Sequence, residues 1–185
     1  MQSLTTLPAN LPVPVDDGAC QHLLHTLLPD IALASAQGQS VNLRKLAGWS
    51  VIYLYPMTGL PGTALPDDWD SIPGARGCTP QSCAFRDHHA ELQQLGAQVF
   101  GLSTQTTAYQ TEAATRLHLP FALLSDAQFA FADALQLPTF EINHQRLIKR
   151  ITLLVLDGKI AHYMYPVFPP DQNATQVIDW LKQHV

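Results

Sequence analysis

Two apolar runs, 147–156 and 159–165, meet at Asp157-Gly158, and this junction limits the possible folds more than any other stretch of the chain. Asp-Gly between runs rich in β-branched residues predicts a two-residue type I′ hairpin, whose central residues both need positive φ. An antiparallel pair is therefore expected near the C-terminus. Upstream, apolar strands at 49–55 (WSVIYLY, stopped by Pro56), 98–102 and 121–124 alternate with helical stretches at 80–95, 107–117 and 128–135. Strands separated by helices pair in parallel, so the hairpin must join a sheet that is otherwise parallel. The expectation is an α/β fold, a central mixed sheet flanked by helices on both faces. It closes on a helix at 174–184 that Asn173 can cap.

A chain of 185 residues has the size of one domain. Pro8, Pro12 and Pro14 mark an extended arm that runs into a short helix at 19–28, stopped by Pro29, and the domain proper occupies 29–185. Residues 57–77 keep neither a two-residue nor a 3.6-residue period, so they read as a long loop with an acidic tip, Asp67-Asp68-Trp69-Asp70. Loops of that length inside compact domains are usually functional or disordered. The net charge is -5, and the ten Lys and Arg residues do not cluster beyond Lys149-Arg150, which excludes a nucleic-acid partner. No apolar run approaches the roughly 18 residues of a membrane span. The N-terminus lacks the basic and apolar regions of a signal peptide, and three cysteines suit a reducing compartment, so a cytoplasmic protein is expected. Only 14% of residues are charged, which leaves room for a modest self-association patch on a monomer or weak homodimer.

Cys78 and Cys83 carry the chemistry. With Thr79 at the N-cap and Pro80 at the first helical position, Cys78 stands beside the free N–H groups and positive end of a helix. That position stabilises the thiolate, the reactive form of a cysteine. Residues five apart on an ideal helix lie roughly 8–9 Å apart at Cα, whereas a disulfide wants about 4.4–6.8 Å. Pairing Cys78 with Cys83 therefore requires the helix start to unwind. From spacing alone, two inert buried thiols remain an equal reading.

The segment Gly77-Cys78-Thr79-Pro80-Gln81-Ser82-Cys83-Ala84-Phe85-Arg86-Asp87 resembles the active-site helix of the bacterioferritin-comigratory and Q-type branch of the peroxiredoxins. The stretches 95–103, 119–126 (LPFALLSD) and 150–160 (RITLLVLDGKI) resemble later segments of that branch, so the resemblance spans roughly 28–181. It implies a thioredoxin-like fold and a thiol-dependent peroxidase acting on hydrogen peroxide or organic hydroperoxides. Cys78 would attack the peroxide and become a sulfenic acid. Cys83 would resolve it as an intrachain disulfide. Arg150 would stabilise the thiolate and the leaving oxygen, and a thioredoxin-like or other dithiol reductant would restore the thiols. No cofactor and no metal is implied. Without the resemblance, Arg150 reads as a solvated strand-end arginine paired with a carboxylate.

The branch's Pro-x-x-x-Thr-x-x-Cys signature is displaced. Ala75 and Ser71 stand where threonine and proline are expected, and Pro56 lies 22 residues before Cys78 (78 minus 56) instead of seven. An insertion at 57–77 accounts for this. Either Pro56 and Thr58 still reach the substrate pocket with Gly77 and Thr79, or Arg76 or Ser71 supplies the missing donor. Gln81 replaces a glutamate common in the branch. Cys78, Cys83 and His88 lack the close ligand pairs of zinc sites. His88 is expected on the apolar helix face and His89 in solvent. Cys20 is either a distant resolving thiol or, more simply, an anchor for the first short helix. Two other functions fit the same residues: a thiol-disulfide oxidoreductase or redox sensor with weak peroxidase activity, and a non-catalytic binding module using the 57–77 loop.

Overall fold

The computed structural model describes residues 4–185. The sheet opens with β1 (Ala32–Ser35), β2 (Ser40–Asn42) and β3 (Trp49–Leu54). Helices α1 (Cys78–Asp87) and α2 (His89–Gln94) lead to β4 (Ala97–Ser103), and α3 (Thr107–Arg116) leads to β5 (Ala122–Ser125). After α4 (Ala130–Ala134) come β6 (Thr139–Ile142), β7 (Gln145–Ile148), β8 (Ile151–Leu156), β9 (Lys159–Met164) and α5 (Asn173–His184). Among the described residues, seven strands form one mixed sheet in the order β2-β1-β5-β4-β3-β8-β9, and β6 and β7 form a separate ribbon.

Strand β3 sits between parallel β4 and antiparallel β8, and five of its six residues are buried. Its side chains alternate between two cores, as the two-residue period of a strand requires. Ile52 and Leu54 join Phe131, Leu135, Leu28 and Leu43 on one face. Val51 and Tyr53 join Phe85, Leu92, Ala113, Val177 and Leu181 on the other, beneath α1, α2, α3 and α5. The expected α/β architecture is what the chain adopts. Asp157 and Gly158 have φ of 49° and 75°, as a type I′ turn demands.

Several local expectations give way to tertiary pairing. The helix expected at 19–28 shrinks to a 3₁₀ turn, Gln21–Leu23. The following residues run beside β9: the Ile160 N–H donates to the Thr26 carbonyl, and the Leu28 N–H to that of Gly158. Pairing with a sheet edge satisfies those backbone groups and places Leu28 in the core, outweighing the weak local helix preference. Strands β1, β2 and β6 escape the sequence reading. The run 147–156 is not one strand but two, β7 and β8, interrupted at Lys149-Arg150. The helix expected at 80–95 begins at Cys78 and breaks at His88. That break rotates the histidines: His89 packs on the Phe121 ring at 5.6 Å, while His88 is half exposed and lies 3.6 Å from a Glu91 oxygen. Asn173 lies inside α5 instead of capping it, with its side chain spent elsewhere.

The 57–77 segment carries a small core of its own. Trp69 is buried in a 3₁₀ turn, Trp69–Ser71, and packs with Ala75, Leu147, Ile72 and Phe140. Only Asp67 and Asp68 of the acidic tip are exposed, because Asp70 pairs with buried Arg76 at 3.2 Å.

Candidate active site

Gly77 opens α1 with φ 105°, a left-handed conformation that favours glycine. A Cβ here would also collide with Pro170 Cγ and Leu7 Cδ2. The Gly77 carbonyl accepts the Gln81 N–H at 3.0 Å, so Gly77 and not Thr79 is the N-cap, and Cys78 is the first helical residue, two positions further into the helix than the sequence suggests. Thr79 and Pro80 follow it in the first turn, both buried. Cys78 thus stands in the first turn, at the end of the helix where N–H groups have no intrahelical partner, and is itself buried, 3% exposed.

Arg150 sits at the break between β7 and β8, where the chain crosses from the ribbon into the sheet, and is itself 3% exposed. Its Nη2 donates to Cys78 Sγ at 3.1 Å and to the carbonyls of Ala75 and Arg76, each at 3.1 Å. Nε donates to the Gly74 carbonyl at 3.3 Å, and Nη1 to Gln81 Oε1. The structure therefore brings Cys78 and Arg150 together, and the end of the insertion forms the carbonyl cradle that receives the guanidinium. No carboxylate pairs with Arg150 among the described residues, in contrast to the solvated ion pair that its strand-end position suggested. Cys78 Sγ also lies 3.6 Å from the Ala75 carbonyl, which a thiol proton can reach.

Behind the guanidinium runs a buried polar chain. Gln81 Nε2 donates to Asn173 Oδ1 at 2.9 Å, which also accepts from Thr152 Oγ1 at 2.7 Å. Sequence reasoning gave Gln81 and Asn173 no such role. Their only signal was polarity at positions that the helix periods turn inward. Beneath α1, Tyr53 stacks on Phe85 at 4.5 Å and donates to Ser82 Oγ at 3.1 Å. Burial holds the Tyr53 and Tyr55 phenols well above their ordinary range, so both are neutral.

Thr58 is buried and bonded to Gln105. Its N–H and Oγ1 both donate to Gln105 Oε1, at 2.9 and 3.0 Å, and Gln105 Nε2 donates back to the Thr58 carbonyl. The start of the insertion is thus tied to the β4–α3 connection and its end to Arg150. Pro56 is buried at the end of β3, Ser71 is exposed, and Arg76 reaches the site through its backbone carbonyl. Cys83 is half buried on α1 and unbridged, with its thiol pushed up by burial. Cys20 packs in the core with Leu23 and Leu28, pushed up to about 12 by burial. Among the described residues, no three His, Cys, Asp or Glu side chains group to hold a metal ion, and no helix is long and apolar enough to cross a membrane.

A cysteine at a helix start, an arginine at its sulfur and a second thiol on the same helix, all on a thioredoxin-like sheet, define a thiol-based oxidoreductase. The Redoxin family model matches residues 25–178. Peroxiredoxin Bcp of Escherichia coli K12 is 30% identical over 163 residues, 85% of this chain and 94% of that protein. Chloroplastic peroxiredoxin Q of Oryza sativa subsp. japonica is 35% identical over 99 residues, 53% of this chain and 39% of that one. Among solved structures, peroxidoxin BcpB of Mycobacterium tuberculosis superposes with a TM-score of 0.71 at 23% identity, over 88% of this chain and 97% of its own. The bacterioferritin comigratory protein of Xanthomonas campestris, which has alkyl peroxide reduction activity, superposes with a TM-score of 0.68 at 25% identity, over 85% and 96%. The chain belongs to the redoxin family, in the bacterioferritin-comigratory and Q-type branch of the peroxiredoxins. It is an enzyme, a thiol peroxidase, of a class that uses peroxides and thioredoxin-type reductants.

Proposed function

We propose that this enzyme reduces hydrogen peroxide and small organic hydroperoxides through a Cys78 sulfenic acid and a Cys78–Cys83 intrachain disulfide. The observation that carries the reading is the 3.1 Å approach of Arg150 Nη2 to Cys78 Sγ at the first turn of α1. A positive helix end and a guanidinium both stabilise the anionic sulfur. The thiolate attacks the terminal oxygen, the O–O bond breaks, and the leaving oxygen takes a proton and departs as water or alcohol. The Cys83 thiolate then displaces water from the sulfenic sulfur, and a thioredoxin-like dithiol reduces the disulfide. Because both cysteines lie on α1, roughly 8–9 Å apart by helix geometry, the first turn opens before the second step.

A cavity of 310 Å³ borders Arg150 and is lined by Val13, Ile72, Pro73 and Phe140, with Cys78 outside its wall. An intrachain disulfide lets a monomer or weak dimer work, within a domain at 29–185 and in the cytoplasm, where dithiol donors are kept reduced. The test is peroxide consumption with a dithiol donor. Cys78→Ser abolishes it, and a fully active Cys78→Ser protein overturns the assignment. The commitment of Thr58 to Gln105 favours a second reading, a redox sensor. It is distinguished by slow turnover together with ready disulfide formation.

A further inference from the structure

Cys78 and Arg150 are each only 3% exposed, so a peroxide reaches them only when something moves. The core cluster that holds the sulfur, with Val51, Tyr53 and Tyr55 fully buried, gives no way in. Two other layers lie against the site. One is the 57–77 segment, pinned by buried Trp69, by the Asp70–Arg76 pair and by the Thr58–Gln105 bonds. The other is the N-terminal arm, which crosses that segment at three bare glycines. Leu4 Cδ2 lies 2.6 Å from where a Cβ on Gly59 would stand, Leu7 Cδ2 2.9 Å from one on Gly77, and Pro14 Cγ 3.7 Å from one on Gly74. Val13, Pro14 and Val15 then line the 310 Å³ cavity, facing the same space as Arg150. The arm ends on Asp17, which accepts from Lys149 Nζ at 2.8 Å and from Tyr165 Oη at 2.9 Å.

The two layers differ in strength. Residues 4–20 hold no helix or strand, and Val13 and Val15 are 65% and 82% exposed. The Asp17–Lys149 tether is a partly exposed ion pair, a kind of contact that contributes little to stability. The arm is therefore the layer that yields first. We propose that the N-terminal arm, residues 4–17, is a strap across the peroxidase site that sets its selectivity: hydrogen peroxide passes beneath it, and bulky organic hydroperoxides enter only when it lifts. The inference rests on the peroxidase reading above. Leu7 and Asp17 are the specificity-determining residues, one against Gly77 and the other on Lys149, the neighbour of Arg150. Reaction with a bulky peroxide scales with the fraction of molecules whose arm is open, and reaction with hydrogen peroxide does not.

The test compares cumene hydroperoxide with hydrogen peroxide, by stopped-flow rates of the reduced, full-length chain carrying Asp17→Asn or Leu7→Ala. Loss of the exposed ion pair is expected to raise the cumene hydroperoxide rate about threefold. Loss of the Leu7 methyl groups is expected to raise it about tenfold. Hydrogen peroxide rates stay at the wild-type value in both. Asp30→Asn removes an ion pair of the same kind that involves no arm residue, Lys45–Asp30 at 3.0 Å, and leaves both rates unchanged. A selectivity ratio that stays at the wild-type value in both arm variants, or falls, overturns the inference, as does an equal gain in Asp30→Asn. Alkylation of Cys78, located by mass spectrometry, reads the strap without peroxide chemistry. N-phenylmaleimide is expected to gain more than iodoacetamide in Asp17→Asn and Leu7→Ala, and equal gains refute the strap. A wild-type Cys78 that takes up no peroxide oxygen removes the peroxidase reading itself, a failure that the alkylation result keeps separate from this one.

Discussion

Arg150→Lys keeps the charge and removes the shape, so it asks how much of the site is geometry. The guanidinium offers five N–H donors, and it meets five acceptors: the Gly74, Ala75 and Arg76 carbonyls, Gln81 Oε1 and Cys78 Sγ. An ammonium offers three donors from a single point, so at least two acceptors are abandoned. Each buried acceptor left unsatisfied costs about 1–3 kcal/mol. Residues 74–76 belong to a loop that can turn toward water, which places the stability loss near the lower end, about 2 kcal/mol. The reaction loses more specifically. A charge-assisted hydrogen bond to the sulfur contributes about 1.5–3 kcal/mol, and at 1.36 kcal/mol per decade that is a roughly 10- to 150-fold slower attack on peroxide. The assay is the second-order rate of peroxide with reduced protein, alongside a denaturant melt. An Arg150→Lys enzyme reacting within about threefold of the wild type refutes the geometric argument, whatever its stability.

Two further perturbations probe the surroundings of the sulfur. Gly77→Ala is expected to destabilise by about 2–5 kcal/mol, since it forces a left-handed residue, about 1–2 kcal/mol, and pushes Leu7 and Pro170 aside, an overpacking of typically 1–3 kcal/mol; the denaturation midpoint measures it. Asp17 is held down to about 2, from an ordinary 3.8, chiefly by its hydrogen bond from Lys149 and then by that from Tyr165. Its folded-state pKa is depressed, so the stabilisation is complete above pH 4 and is lost as pH falls through 2. Amide exchange around residues 13–19 is therefore expected to quicken between pH 4 and 2, and Asp17→Asn to flatten that dependence.

The sequence was most informative where one physical demand admits few residues. The Asp157-Gly158 turn needs two positive φ angles, the β3 run suits only a doubly buried strand, and the residues around Cys78 mark a helix start. It was least informative where structure is decided at a distance. Residues 25–28 look helical by themselves, yet a free strand edge, β9, captures their backbone. Strands β1 and β2, of four and three residues, are too short to show a period. Arg150 was legible as a residue, but its β7–β8 break was not, because 147–156 is apolar apart from that pair and Thr152. The insertion's path was hidden for a related reason: it is fixed by burial of Trp69 and by Asp70 pairing with Arg76, two contacts with no repeating pattern. Gln81 and Asn173 illustrate the same limit, since a buried polar network can be recognised only when its distant partners are known.

Leu7, near the beginning of the chain, and Pro170, near its end, crowd the same glycine beside the reactive sulfur. Segments remote from each other in sequence therefore meet at the glycine that opens α1. On the proposed Cys78–Cys83 route, shaving or enlarging the side chain at position 7 or 170 is expected to change the pace of disulfide closure while Cys78 and Arg150 stay unchanged.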